Sequence, residues 1–208
     1  MSDKEHYHII EKNGYGEFRQ KGSKFQAYAY KINEIEDVSS IMSTLKSEHP
    51  KANHHCSAYR LGINDQIEYS SDDREPSGSA GKPILGVIKS SDLYNILIVV
   101  VRYFGGTQLG VPGLINAYKE AAGESIRNTN ITQKRVMNEY LMECEYDVLN
   151  ELYRISQRFE GSIQLITTDI SPVILKFKIP RSKSLELESA LKNEYPLNKH
   201  CRVLPPNH

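Results

Sequence analysis

Residues 72–118 read DDREPSGSAGKPILGVIKSSDLYNILIVVVRYFGGTQLGVPGLINAY. Inside this stretch Ile96 to Val101 form an unbroken apolar run in which five of six residues are β-branched. The run is short for a helix and its branched side chains suit a pleated surface, which predicts a buried central strand. It ends on Arg102-Tyr103-Phe104, a cation beside two aromatics, and breaks at Gly105-Gly106. Two glycine-rich loops, residues 77–81 and 105–113, bracket it.

The first loop opens on Asp72 and Asp73, then Glu75-Pro76, and its core is Ser77-Gly78-Ser79-Ala80-Gly81. Small residues in that order expose successive backbone N–H groups, the way a chain builds a concavity for an anion. Glycine runs are also ordinary turns. Beyond the second loop, residues 114–127 read as a helix with Leu114, Ala117, Tyr118, Ala121, Ala122 and Ile126 on one face. A glycine loop feeding a helix N-terminus favours an anion there.

The motifs DDREPSGSAGKPIL and VVVRYFGGTQLG..GL..AY, with Gly22-Ser23-Lys24-Phe25 and Ala52-Asn53-His54 upstream, resemble the YigZ family. That family's first domain is shared with the eukaryotic IMPACT translation regulators. The resemblance is close over roughly the first 130 residues and looser beyond. It implies an α+β fold: an N-terminal α/β domain similar to the second domain of ribosomal protein S5 and to the fourth domain of elongation factor G. A smaller ferredoxin-like βαββαβ domain, similar to that factor's fifth, would follow. The chain departs from the pattern at Arg74, where family members commonly have glycine, and at Gln108, Val111, Pro112, Asn116 and Lys119. Two positions that are basic in the family, Gln108 and Asn116, are neutral here, while Arg74 and Lys119 add charge nearby.

Size and composition bound the function. A chain of 208 residues with a 39% apolar fraction has no apolar stretch near the length that crosses a membrane. The polar start, MSDKEHYH, does not read as a signal peptide, so a cytoplasmic location is expected. Lys plus Arg equals Asp plus Glu at 26 each, without the basic excess of a general nucleic-acid binder. Cys56, Cys144 and Cys201 are an odd number with no short paired spacing, so reduced thiols are expected. No metal and no cofactor is expected; a zinc site would need ligands from distant segments, such as His200 and Cys201.

In chain order, residues 7–10 and 15–19 read as a hairpin around Asn13-Gly14. Residues 25–32 alternate as a strand, 35–49 have helical period, 52–61 and 67–69 read as strands, and 83–87 lean towards a helix on the sheet. A further strand over 131–137 leads to a domain boundary near residue 137, giving domains 1–137 and 138–208. The second reads β-α-β-β-α-β: a strand at 139–146, a helix capped by Asp147, strands at 162–168 and 172–179 around Asp169-Ile170-Ser171, a helix at 182–194 and a strand at 200–204.

The candidate site gathers His54, Asp72, Asp73, Glu75, Ser77, Gly78, Ser79, Gly81, Arg102, Tyr103, Gly105, Gly106 and Gly110 around a cleft between the two loops. Arg102 has the planar donors suited to phosphate or carboxylate, and Tyr103 and Phe104 offer faces for stacking, although Phe104 reads first as core. In the plainer alternative the acids cap turns, the serines bond loop backbone and Arg102 pairs with an acid. Neither a nucleophile elbow nor a phosphate-loop motif is present, so no catalytic residue is assigned. The expected function is non-enzymatic: binding a ribosome, RNA or a translation-control protein through the cleft, with no membrane partner. The alternative is a small hydrolase or peptidase-like enzyme using Glu75, Ser77 and His54.

Overall fold

A computed structural model describes residues 4–167, 171–194 and 196–204 of the protein. They divide into two compact units, one spanning Tyr7–Lys134 and the other residues 135–204 with 4–6. The protein is α+β, as the sequence predicts. Among the described residues no helix is long and apolar enough to cross a membrane.

The first unit runs β1 (His6–Ile10), β2 (Gly14–Gln20), β3 (Ser23–Lys31), α1 (Ile35–Glu48), β4 (His54–Leu61), β5 (Ile67–Ser71), α2 (Gly81–Ser90), β6 (Ile96–Tyr103), α3 (Gly110–Arg127) and β7 (Ile131–Arg135). Five strands form one antiparallel sheet in the order β2-β3-β6-β4-β5. The branched run is therefore its middle strand, and both of its faces are covered. Ile96, Ile98 and Val100 point into a core shared with α2 and α3, through Ile84, Ile88, Ala117 and Tyr118. Leu97, Val99 and Val101 point the other way, towards Leu45 and the half-buried Val38, Ile41 and Met42 of α1. Burial on both faces is why the sequence runs continuously apolar here instead of alternating. Strand β3 does alternate: Phe25, Ala27 and Ala29 are fully buried on the α3 side, while Tyr28 and Tyr30 pack under α1.

The hairpin expected around Asn13-Gly14 does not form. β1 pairs with β7, and β2 pairs with β3. Gly14 instead opens β2, where a Cβ would lie 2.1 Å from the Ser125 carbonyl oxygen of α3; at Gly16 it would lie 2.4 Å from the Ser125 nitrogen. Both glycines serve close approach of a strand to a helix backbone. Helix α3 also starts four residues earlier than its periodicity predicts, because Pro112 falls in the first turn, where a missing N–H costs nothing.

The second unit comprises β8 (Met137–Cys144), α4 (Leu149–Arg158), β9 (Ser162–Leu165), β10 (Val173–Pro180), α5 (Ser184–Asn193), α6 (Leu197–His200) and β11 (Cys201–Val203). Its antiparallel sheet has the order β11-β8-β10-β9, the ferredoxin-like arrangement. Met142, Cys144, Leu175, Phe177 and Ile179 of the sheet bury against Leu149, Leu152, Ile155 and Leu187 of the helices. Asp147 does not cap α4; it lies inside a single 3-10 turn, Tyr146–Val148, that precedes the helix. The short helix α6 is an addition to the predicted pattern. Of the predicted turn, Asp169 and Ile170, and Thr168 before them, lie outside the described residues.

Gly16→Ala is expected to lower the stability of the first unit by about 1–3 kcal/mol, since overpacking displaces backbone. Lys12→Ala, at an exposed residue just before the strand, is expected to change it by under about 0.5 kcal/mol. Urea denaturation of the two variants checks the contrast.

Candidate functional site

The register of the sheet builds the site. Arg102 is opposite His54 on β4 and Phe25 on β3, so these three side chains form one row at the end of β6. Arg102 continues the 96-98-100 parity and faces α3. Its guanidinium is 5% exposed, lies 5.3 Å from the Phe25 ring and 5.6 Å from the Phe104 ring, and donates through Nη1 to Glu75 Oε1 at 2.6 Å. Glu75 comes from the first glycine loop and is itself buried. The same Oε1 accepts the Tyr118 hydroxyl from α3 at 2.7 Å, and Cys56 Sγ lies 3.3 Å from that hydroxyl and 3.0 Å from the Asp72 carbonyl oxygen, the nearer acceptor for its one proton. Burial is the leading cause that pushes both the Tyr118 phenol and the Cys56 thiol well above their ordinary ranges, so both keep their protons.

His54 completes the row. Its Nδ1 lies 2.8 Å from the Asp73 carbonyl oxygen, which can only accept, so Nδ1 carries the proton. Nε2 then faces Glu75 Oε1 at 3.8 Å, beyond hydrogen-bond reach. His54, Glu75, Arg102 and Gly110 line one cleft of about 470 Å³ together with Asn53, Phe104 and Val111. Asn53 holds the wall: its side-chain oxygen accepts the Phe104 N–H at 2.8 Å. Phe104 is not core, being 47% exposed at the cleft rim.

The first loop does not offer its amides to a ligand. Asp72 already occupies them, accepting from Gly78 N–H at 2.7 Å, Ala80 N–H at 3.0 Å and Gly81 N–H at 2.8 Å. Ala80 and Gly81 begin α2, so the carboxylate is a non-local cap on that helix. Partial burial acts to raise the Asp72 pKa, but these three amides and the nearby Lys82 charge outweigh it and hold the carboxyl below the usual aspartate range. The anion that this concavity suits is the chain's own.

Other expected members face elsewhere. Asp73 Oδ2 accepts the His55 N–H at 2.6 Å, pinning the start of β4. Ser79 is fully buried and donates to the Pro76 carbonyl at 2.6 Å. Ser77 is exposed and makes no hydrogen bond to His54 among the described residues, so the serine–histidine pair of a hydrolase is not assembled. Tyr103 has the opposite parity and meets His49 Nδ1 at 2.8 Å on the α1 face. Gly105 lies against the Gly22-Ser23 backbone, where a Cβ would be 1.9 Å from the Gly22 carbonyl carbon, and its N–H donates to Ser23 Oγ. Gly106 and Gly110 have positive φ, shaping the turn into α3. Arg74 donates to the Asn53 carbonyl at 3.1 Å and does not line the cleft, whereas Gln108 does.

Sequence reading missed Tyr118 as a polar partner, since its place on the apolar face of α3 signalled packing only. Phe104 was legible in principle: it shares the parity of Arg102 but stands beyond the last paired residue of the strand.

The buried polar groups make the site sensitive to single substitutions. Glu75→Ala strands the Arg102 charge and is expected to cost about 3–5 kcal/mol, with Glu75→Gln costing less because it can still accept from Tyr118; urea denaturation distinguishes them. Asp72→Asn is expected to cost about 2 kcal/mol at neutral pH. A carboxyl with a depressed folded pKa stabilises above its unfolded value and loses that contribution as pH falls through the folded one. The gap between wild type and Asp72→Asn should therefore hold near pH 6 and close below about pH 4, as read by thermal denaturation across pH.

Comparison with known proteins agrees with this architecture. The Impact N-terminal domain matches residues 21–126. The IMPACT family member YigZ of Escherichia coli is 33% identical over 174 residues, covering 82% of this chain and 84% of that protein. The IMPACT homolog of Saccharomyces cerevisiae is 32% identical over 93 residues, 43% of this chain and 36% of its own length. A crystal structure of a hypothetical protein superposes with a TM-score of 0.72 at 28% identity, over 99% of both chains. The match to the Impact N-terminal domain over half of the chain, and YigZ at 33% identity, show that the chain belongs to the IMPACT family.

Proposed function

We propose that this chain is a non-enzymatic, translation-associated regulator that acts in the cytoplasm by docking a partner in the cleft beside Arg102. The partner classes that fit a translation-associated role are a ribosome, RNA, or a translation-control protein. One observation carries the reading. Phe104 and Val111, 47% and 46% exposed, stand over a floor whose charges are already paired. Large apolar side chains held at the rim of a concave site mark a place where another macromolecule buries surface. A rim of this kind favours a protein surface over a bare phosphate backbone, which would call for unpaired cations.

The hydrolase alternative finds less support. Glu75 is buried in two hydrogen bonds, and among the described residues Ser77 makes no hydrogen bond to His54.

Purified protein is expected to co-sediment with ribosomes from cell extract, and Phe104→Ala to weaken that association by about tenfold or more. Nuclease treatment and a salt series separate RNA from protein contact. Absence of co-migration even at low salt, together with no RNA retardation and no translation-control protein captured in a pulldown, would count against this function.

A further inference from the structure

The second unit holds two cysteines that take no part in the cleft. Cys144 ends β8 and Cys201 begins β11, and the antiparallel register sets them directly opposite each other. The neighbouring pairs fix the type of that position. Glu145 N–H donates to the His200 carbonyl at 3.0 Å, and Leu204 N–H donates to the Leu141 carbonyl at 2.8 Å. Hydrogen-bonded and non-hydrogen-bonded pairs alternate along an antiparallel ladder. Counting inward from 145–200 and from 141–204, both give the same answer: 144–201 is a non-hydrogen-bonded pair. At such pairs the Cα atoms approach to about 4.5 Å and the side chains lie closest, within the range of about 4.4–6.8 Å that a disulfide spans.

We propose that Cys144 and Cys201 form a reversible cross-strand disulfide that clips β11 to β8, making the second unit sensitive to thiol oxidants. Both are thiols in this structure. Cys144 is 1% exposed, whereas Cys201 is partly exposed and borders a pocket of about 430 Å³ lined also by Glu145, Lys199, His200 and Arg202. Access is therefore one-sided, and Cys201 is the attacking sulfur. The closeness of the two sulfurs is the leading cause that lowers Cys201 and raises Cys144. This favours thiolate on the exposed partner, with burial and the Glu145 carboxylate opposing it. Glu145 is itself engaged by His200 Nδ1 at 2.9 Å.

The chemistry balances with a small-molecule disulfide as oxidant. The Cys201 thiolate attacks one of its sulfurs, forming a mixed disulfide and expelling one thiolate. The Cys144 thiol then loses its proton to solvent or to that thiolate and attacks Cys201 sulfur, expelling the second. Two protein thiols are oxidised and one external disulfide is reduced to two thiols. The strand that is clipped, Cys201–Val203, has only three residues. Cys56 belongs to the first unit, is fully buried beside Tyr118, and serves as the internal control.

The test is incubation of the intact protein with oxidised glutathione, quenching by alkylation, and peptide mapping by mass spectrometry without reduction. The expected result is a Cys144–Cys201 crosslinked peptide, with two of the three thiols lost to alkylation, Cys56 still alkylated after denaturation, and full reversal by dithiothreitol. A rise in the urea midpoint of the oxidised form should accompany it. Cys201→Ser, at the partly exposed position, should abolish both the crosslink and the shift. Stable glutathionylation of Cys201 without the crosslink, or three unmodified thiols, would overturn the proposal.

Discussion

At the end of β6 a guanidinium and a carboxylate are held together out of water. Removing two ions from solvent is costly, and the attraction between them offsets that cost only when the geometry is good and the remaining polar atoms find partners. Arg102 and Glu75 meet the first condition at 2.6 Å. The Tyr118 hydroxyl contributes to the second by adding its own bond to Glu75, with Cys56 Sγ packed 3.3 Å from it. Four segments thus converge on one carboxylate oxygen: β6, the first glycine loop, α3 and, at longer range, His54 of β4. Moving β6 or the loop leaves a charge buried without its partner, and moving α3 takes away the second hydrogen bond to the carboxylate. That constraint fixes where the first loop stands relative to the N-terminal turn of α3, and hence the shape of the cleft.

The glycines acquire a different meaning within this framework. A run of small residues ahead of a helix resembles a receptor for phosphate, and its amides do converge on an anion, but the anion is Asp72. An intrachain carboxylate has a large advantage over a dissolved ligand, because most of its freedom is already spent in closing the loop. Gly81 lies against Ser71, and Gly105 against Gly22, at distances no Cβ would allow. These positions need glycine to bring backbones together. The loops are walls, and the polar chemistry of the cleft lies in its floor.

The parts of the fold that depend on periodicity were legible in the sequence. β6 showed itself by five branched residues because burial on both faces removes the need for polar alternation. The core faces of α3 and β3 followed the same way. Signals that depend on a neighbour distant in sequence were misleading. Asn13-Gly14 has the composition of a hairpin turn, yet Gly14 answers to Ser125, more than a hundred residues away. Asp147 has the chemistry of a cap but falls inside a 3-10 turn. In the site, His54, Glu75 and Arg102 could be named from their motifs, and the structure brings them together. Tyr118 could not, because periodicity reports that a side chain faces the core and says nothing of what its hydroxyl meets there. Phe104 was assigned to the core on composition alone, and it is the rim.

The positions at which this chain departs from its family sort by where they stand. Asn116 and Lys119 are exposed on α3 and outside the cleft, and Arg74 is engaged by the Asn53 carbonyl, so none of them alters the floor. Gln108 and Val111 do face it, one neutral and the other apolar. The cleft of this chain therefore combines a paired ion in its floor with a neutral, partly apolar rim. Attraction through counterion release scales with the number of phosphates neutralised, and this surface has few cations to contribute. Burial of Phe104 and Val111 offers it more, because apolar area is rewarded at about 25 cal/mol per Å² whatever the salt. On the proposed reading, shape of apolar surface ranks ahead of charge in choosing a partner, and charge counts only beside Arg102.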